Sequence, residues 1–177
     1  MVATLATCAV VVAPFVSGHT VTAPRLGPHG IGDVRFGATE SSAVAALAAR
    51  FGAPSTRFSN TGCGPRYTEV AWGHLYAEFR LHRFAGFRYL ANGWPPRDFG
   101  VTRSSPKEIF PKLATVKGIS LSSTLAELRA AYKTLRQIGT DRWQAPDGLV
   151  FYDDANHDPA PPSSRITEIR IGTCGDF

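Results

Sequence analysis

Two segments of the chain carry the same pattern of apolar and polar residues, with Val34 aligned on Ile119, 85 positions later. In each segment a short alternating stretch leads to a threonine, Thr39 or Thr124, and apolar residues at helical spacing follow. Because both copies have to form the same small unit, this internal match constrains the fold more than any composition value. It predicts one domain assembled from two tandem repeats.

Each copy predicts a helix with a defined start. The threonine hydroxyl can accept a hydrogen bond from a free N–H of the first helical turn. In the second copy Thr124 and Glu127 have the spacing of a capping box. In the first copy Gly52 and Pro54 predict the helix end, since glycine closes helices and proline prevents their continuation.

Strands are predicted at Val70–Arg83, Phe87–Leu90, Leu113–Val116, Leu149–Tyr152 and Ile166–Ile171. The first of these is long and alternates between apolar and polar residues. Runs of adjacent strands favour an antiparallel sheet with the helices on one side. The predicted fold class is therefore α+β: an antiparallel sheet with helices packed on one face and two tandem pseudo-repeats.

The first copy also has a motif, G-x-T-x-x-x-x-V-x-x-L-x-x-x-x-G-x-P. It is formed by Gly37, Thr39, Val44, Leu47, Gly52 and Pro54. The segment Val34–Pro54 resembles the small α+β repeat of SmpA/OmlA-type envelope lipoproteins and of the β-lactamase inhibitor proteins, which carry two such repeats in tandem. This resemblance implies helices on one side of an antiparallel sheet and a non-enzymatic protein that binds other proteins. It assigns no functional residue.

The first eighteen residues have no charge and are mostly small or apolar, which is typical of a secretory signal. Cys8 lies where a lipoprotein signal would be acylated, so the segment could also anchor the chain; a buried strand around Val10–Val12 is the alternative. The predicted location is secreted or extracytoplasmic, with any membrane contact made through this segment. The predicted divisions are a signal-like segment 1–18, a linker 19–29 and one domain 30–177 with repeats at about 30–112 and 113–177.

Removal of that segment would leave two cysteines, Cys63 and Cys174. In an oxidising compartment such a pair is most simply a disulfide. The alternative is two unrelated buried thiols. If Cys63 is free, it could act as a nucleophile with His74 or His82. Glu78 and His82 could serve acid–base chemistry, but residues four apart on one strand are about 13 Å apart.

The stretch Val70–Arg83 predicts opposite environments for its two faces. Small and apolar residues form the face expected under the helices: Ala71, Gly73, Leu75, Ala77, Phe79 and Leu81. Aromatic and polar residues form the face expected in solvent: Trp72, His74, Tyr76, Glu78, Arg80 and His82. The second set has the composition of a protein-binding surface. The alternative is a minor core under a loop.

The loop Ala91–Pro111 adds Trp94 and Phe99 to these candidate binding residues. Loops of this length are often functional, and its prolines would lower the entropy lost on binding. The alternative is an irregular connection between the repeats.

Other classes of site find little support in the sequence. The net charge is +5, but the basic residues are dispersed, so no nucleic-acid partner is expected. Asp154, Asn156 and Asp158 have the spacing of half an EF-hand, yet the required glycine is absent and Arg165 occupies the twelfth position. A polar hairpin loop is the better interpretation, and we predict no metal and no cofactor.

These observations predict an exported, non-catalytic module that binds another protein through the aromatic and polar sheet face. Its role would be inhibitor-like or envelope-assembly-like. The alternative is a small envelope hydrolase or a cell-surface polymer-binding protein that uses the same face.

Overall fold

The computed structural model describes residues 24–59, 67–91, 113–155 and 158–172. In chain order its elements are β1 (Arg25–Gly27), β2 (Gly30–Ile31), β3 (Val34–Arg35), α1 (Glu40–Phe51), β4 (Thr56–Ser59), β5 (Tyr67–Trp72), β6 (Leu75–Arg80), β7 (Arg83–Leu90), β8 (Ala114–Thr115), α2 (Leu125–Ala131), β9 (Arg136–Gly139), β10 (Arg142–Gln144), β11 (Val150–Asp153) and β12 (Ile166–Ile171). Strand accounts for 45% of the described residues and helix for 16%.

The strands form a large and a small sheet. The large sheet has eight strands in the order β4-β5-β6-β7-β12-β11-β10-β9, all antiparallel. It consists of two four-stranded meanders that meet where β7 pairs with β12, a junction that we call the seam. The small sheet has the order β3-β2-β1-β8, in which β1 and β8 are parallel. The order of one helix followed by four meander strands thus occurs twice along the chain.

The predicted α+β fold, with helices packed on one face of an antiparallel sheet in two pseudo-repeats, is wrong. The protein is mostly β, with two sheets and two short helices among the described residues. The prediction missed β1 and β2, and with them the separate small sheet, because these strands have two or three residues, too few to show an alternating pattern. Part of the predicted linker 19–29 is β1, in which Leu26 is fully buried.

The single long strand predicted at Val70–Arg83 is also wrong. Two-residue turns interrupt it at 73–74 and at 81–82, and each turn joins antiparallel neighbours. Trp72 pairs directly with Leu75 across the first turn. Residues that pair across a strand lie on the same face, so the inward positions change from even to odd numbers at this turn. The strands predicted at Leu113–Val116, Leu149–Tyr152 and Ile166–Ile171 are confirmed as β8, β11 and β12, and Phe87–Leu90 is confirmed as part of β7.

One continuous core joins the large sheet, the small sheet and both helices. We call the face of the large sheet that carries Phe79, Phe87 and Ile169 the inner face, and the opposite face the outer face. The inner face packs with Leu47 of α1 and Leu128 of α2, all five residues having at most 1% exposure. Burial of these side chains, at about 1.5–3 kcal/mol each, is the main stabilising contribution.

Both predicted helix starts are confirmed. The Thr39 hydroxyl accepts a hydrogen bond from the Ser42 N–H at 3.3 Å. At α2 the capping box is complete: the Thr124 hydroxyl accepts from the Glu127 N–H at 3.2 Å, and the Glu127 carboxylate accepts from the Thr124 N–H at 2.7 Å. The bonds that the Glu127 carboxylate accepts from the Thr124 N–H and hydroxyl hold the pKa of Glu127 below its usual value. Gly52, with φ 83°, closes α1 as predicted.

Thr124→Ala should lower the free energy of unfolding by about 1 kcal/mol, because a helical N–H loses its acceptor. Urea denaturation of the variant and the parent protein measures this difference. Thr134→Ala, at an exposed turn position outside the helix, is the matched control and should change little. An unchanged midpoint for Thr124→Ala would contradict the role of this residue as the cap.

Candidate functional site

The predicted binding face does not lie in solvent as a unit. Trp72 is on the inner face, 5% exposed, and its Nε1–H donates to the Gly52 carbonyl at 2.9 Å. Tyr76 and Glu78 are on the outer face, yet both are buried. The predicted exposure of these three residues is therefore wrong, for Trp72 because the first turn reverses which positions face inward.

The remaining described members of that set lie in different surroundings. Arg80 is half-buried, with its guanidinium 5.9 Å from the centre of the Tyr67 ring. His74 is half-buried in the first turn, with Nδ1 2.6 Å from the Leu90 carbonyl oxygen. His82 is exposed in the second turn. Leu81, predicted to be buried, is 65% exposed, so that prediction is wrong as well.

Several predicted residues lie outside the described part of the chain. These are Trp94 and Phe99 of the long loop, Cys63 and Cys174 of the predicted disulfide, and the N-terminal segment with Cys8. The disulfide, the binding role of the loop and export all stay predictions.

The outer face of β5, β6 and β7 carries an ionic network that we call the outer-face cluster: Tyr67, Glu69, Tyr76, Glu78 and Arg88. The Arg88 guanidinium donates through Nη2 to Glu69 Oε2 at 2.6 Å, and its Nε lies 2.9 Å from Glu78 Oε1. Tyr67 donates its hydroxyl hydrogen to Glu78 Oε2. The guanidinium also lies 5.8 Å from the centre of the Tyr76 ring.

Sheet register creates this cluster. Glu69 is opposite Glu78 on the neighbouring strand, and Tyr76 is opposite Arg88 on the next. Two carboxylates directly opposite each other repel, so a cation beside both of them is needed to hold them in the folded state.

The electrostatics of the cluster follow from its burial. Burial raises the pKa of Glu69, although Arg88 acts in the opposite direction. Burial, with a further contribution from the charge of Glu78, raises the pKa of Tyr67. For Arg88 burial favours the neutral form, but the attraction of Glu69 and Glu78 outweighs it and raises its pKa. Arg88 therefore stays charged and neutralises much of the negative charge around it.

Charged and aromatic residues continue across the seam. Arg170 is the cross-strand partner of Arg88, and its guanidinium lies 4.5 Å from the centre of the Tyr152 ring. Its Nη1 is 3.6 Å from Glu168 Oε1. These residues have internal partners and low exposure, which is the arrangement of a structural network rather than of an open binding surface.

A second group of side chains lies at the surface, where the β6–β7 turn meets the start of α1. A cleft of about 460 Å³ opens here, which we call the turn cleft. It is lined by Thr39, Glu40, Ser41, Val44, Arg57, Leu81, His82 and Arg83. Of these residues, only His82 belongs to the predicted binding face.

Glu40 holds Arg57 and His82 in place from the buried side of the turn cleft. Its side chain is only 8% exposed; its Oε1 accepts from Arg57 Nη2, and its Oε2 lies 3.2 Å from His82 Nδ1. The Glu40 N–H donates to the His82 carbonyl at 2.8 Å, and Arg83 Nη1 donates to the Gly37 carbonyl at 2.9 Å. These bonds attach the turn to the first turn of α1.

The backbone of the β6–β7 turn is in a conformation that its residues disfavour. Leu81 and His82 have φ values of 49° and 59°, in the left-handed region. Two-residue hairpin turns of this kind normally use Asn or Gly at these positions. Left-handed backbone costs a residue with a Cβ about 1–3 kcal/mol. The turn nevertheless holds the large apolar side chain of Leu81 in solvent.

Leu81 and its neighbours were missed because leucine at an alternating position indicates a buried strand residue. Nothing in the tetrapeptide Arg80–Arg83 signals a turn. The one available signal for the cleft was Glu40, an acidic residue directly after a helix cap.

The described residues contain no group of three or more His, Cys, Asp or Glu side chains that could hold a metal ion. Asp153, at the start of the predicted polar loop, is buried and has a local structural role. Its Oδ2 accepts from Trp143 Nε1–H and its Oδ1 from the Ala155 N–H, both at 2.8 Å. Neither described helix has the length and apolar character needed to cross a membrane.

No protein-family model matches the chain, and comparisons with curated proteins and with solved structures also gave no significant match.

Proposed function

We propose that this protein is an exported, non-catalytic module that binds another protein through the turn cleft, with Leu81 as its apolar anchor. The observation that carries this proposal is the combination found at Leu81: 65% exposure and a left-handed backbone, beside an open cleft. Unfavourable backbone conformations that persist in a fold concentrate at functional sites.

The energetics favour binding at this place. An exposed leucine contributes nothing to the core, but burying it in a partner contributes about 1.5–3 kcal/mol. The bonds from Glu40 and Arg83 hold the turn in one position before a partner arrives. Such preorganisation lowers the entropy lost on association. The resemblance of Val34–Pro54 to inhibitor and envelope-assembly proteins points to the same kind of role.

The alternative of a hydrolase or polymer-binding protein depends on the polar side chains of the sheet face. Among the described residues of that face, Glu69 and Glu78 are occupied by Arg88, and Tyr67 donates to Glu78. A catalytic or sugar-binding role would require these groups to break a buried ionic network first, which costs several kcal/mol. The turn cleft needs no such rearrangement.

The proposal predicts that Leu81→Ser weakens partner binding by about tenfold or more, because the apolar contact is lost. A photo-crosslinking amino acid at position 81 of the full chain, expressed in its own cells, first captures the partner. Calorimetry with the purified partner then measures the affinity of each variant.

Val116→Ser is the matched control, since Val116 is 61% exposed but lies outside the turn cleft. It should leave the affinity unchanged. Equal losses from both substitutions, or no loss from Leu81→Ser, would contradict the assignment of Leu81 as the anchor.

A further inference from the structure

We propose that the partner presents an acidic protein segment to the turn cleft, in which a carboxylate flanks the apolar group that covers Leu81. This inference rests on the proposed function and specifies the chemistry of the partner. It starts from the charged groups around Leu81, which are the cations Arg57 and Arg83 and the anion Glu40.

The single acid of the cleft is already neutralised. Glu40 is nearly buried and has its two oxygens directed to Arg57 and His82. A partner therefore meets the cationic groups first, because the side chain of Arg57 is 59% exposed while that of Glu40 is 8% exposed.

Arg83 supplies the positive charge that Glu40 does not balance. It is exposed, and the described contacts give it a bond to the Gly37 carbonyl but no ion pair with a described carboxylate. A carbonyl is uncharged and occupies one of the five N–H donors of a guanidinium. The remaining donors suit a carboxylate, which an arginine can bind through two parallel hydrogen bonds.

The apolar side chain decides between an acidic protein and a nucleic acid, which also carries negative charge. Leu81 lies within the cationic rim, so the occupant has to bury an apolar group and supply an anion at the same time. A protein segment with an apolar residue beside Asp or Glu does both. A phosphate backbone would satisfy Arg57 and Arg83 but would leave Leu81 in water.

The experiment uses the full chain and the molecule captured by the crosslinker at position 81. Mass spectrometry of the crosslinked peptide should locate Asp or Glu within a few residues of the attachment point.

Arg83→Gln should weaken binding of this partner about tenfold at low salt and reduce the dependence of the affinity on salt. Arg83→Lys should restore much of the affinity and of its salt dependence, since lysine retains the positive charge. Arg136→Gln, at an exposed position in β9 outside the cleft, is the control and should have no effect.

The outcomes separate this inference from the proposed function. If Leu81→Ser weakens binding but Arg83→Gln does not, and salt has no effect, the acidic segment is contradicted and the apolar anchor stands. Crosslinking of position 81 to a nucleic acid, or competition by a twenty-residue oligothymidine, would overturn the acidic segment as well. If no molecule is captured at position 81, both the proposed function and the acidic segment are contradicted.

Discussion

Arg88→Met should lower the free energy of unfolding by about 3–5 kcal/mol at neutral pH, because it leaves two buried carboxylates without their cation. Glu69 and Glu78 are 1% and 0% exposed and face each other across neighbouring strands. In the parent protein both lie within ion-pair distance of the Arg88 guanidinium. Methionine fills a similar volume, so the decrease in the free energy of unfolding reflects the missing positive charge rather than poorer packing.

The same variant should regain stability as the pH falls. Burial already raises the pKa of Glu69 in the folded protein, and removal of Arg88 takes away the charge that opposes this shift. A carboxyl group with a raised folded pKa favours folding below its unfolded pKa, and this contribution is lost as the pH rises through the folded value. Urea denaturation at a series of pH values measures the free energy of unfolding of the variant and of the parent protein. The difference between the two should become smaller as the pH falls toward 4.5, the usual pKa of glutamate.

The control is the triple variant Arg88→Met, Glu69→Gln, Glu78→Gln. Neutral side chains at all three positions should recover most of the stability at pH 7, since no unpaired charge is buried. A triple variant as unstable as Arg88→Met would show that the loss comes from packing, and the electrostatic account of the cluster would be wrong.

Gly86→Ala should separate the two meanders, with an expected loss of about 3 kcal/mol or more, as for other steric clashes within a close-packed interior. A Cβ at Gly86 would lie 2.4 Å from the Ile171 carbonyl oxygen and 2.8 Å from that of Gly172. Both contacts are with backbone atoms, which cannot rotate away as a side chain can. The backbone at this end of the seam would have to move apart.

Gly27→Ala is the matched control for Gly86→Ala. It also places a methyl group on a buried strand glycine, but the nearest atom is 3.7 Å away, an ordinary contact. Thermal unfolding of the two variants compares them directly. A change in melting temperature no larger for Gly86→Ala than for Gly27→Ala would contradict the close approach at the seam.

Local signals in the sequence correctly predicted the helix starts and the strands β8, β11 and β12, together with the second half of β7. A capping threonine acts on N–H groups two or three residues away, so Thr39 and Thr124 could be recognised without knowing the fold. The β12 strand could be predicted because four of the six residues of Ile166–Ile171 are β-branched, which favours a strand.

The candidate site could not be predicted, because it depends on the Leu81–His82 turn, which contains neither Gly nor Asn. Leu81 and His82 continue the alternation of the flanking strand, and only the tertiary structure holds them at positive φ. The unrecognised turn at 73–74 also exchanges the two faces, so one alternating pattern that is correct after the turn places Trp72, before the turn, on the wrong face. The pairing of Glu69 with Arg88 depends on strand register, which no single segment specifies.

The position of β12 has a consequence for synthesis on the ribosome. It lies at the centre of the large sheet, yet it is translated after all the other described strands. The first meander can emerge complete while β7 still has an unpaired edge along Phe87–Leu90, the stretch that β12 later covers. Open strand edges template pairing with other chains. The nascent protein therefore exposes this strand edge to pairing with other chains until Ile166–Ile171 leaves the exit tunnel.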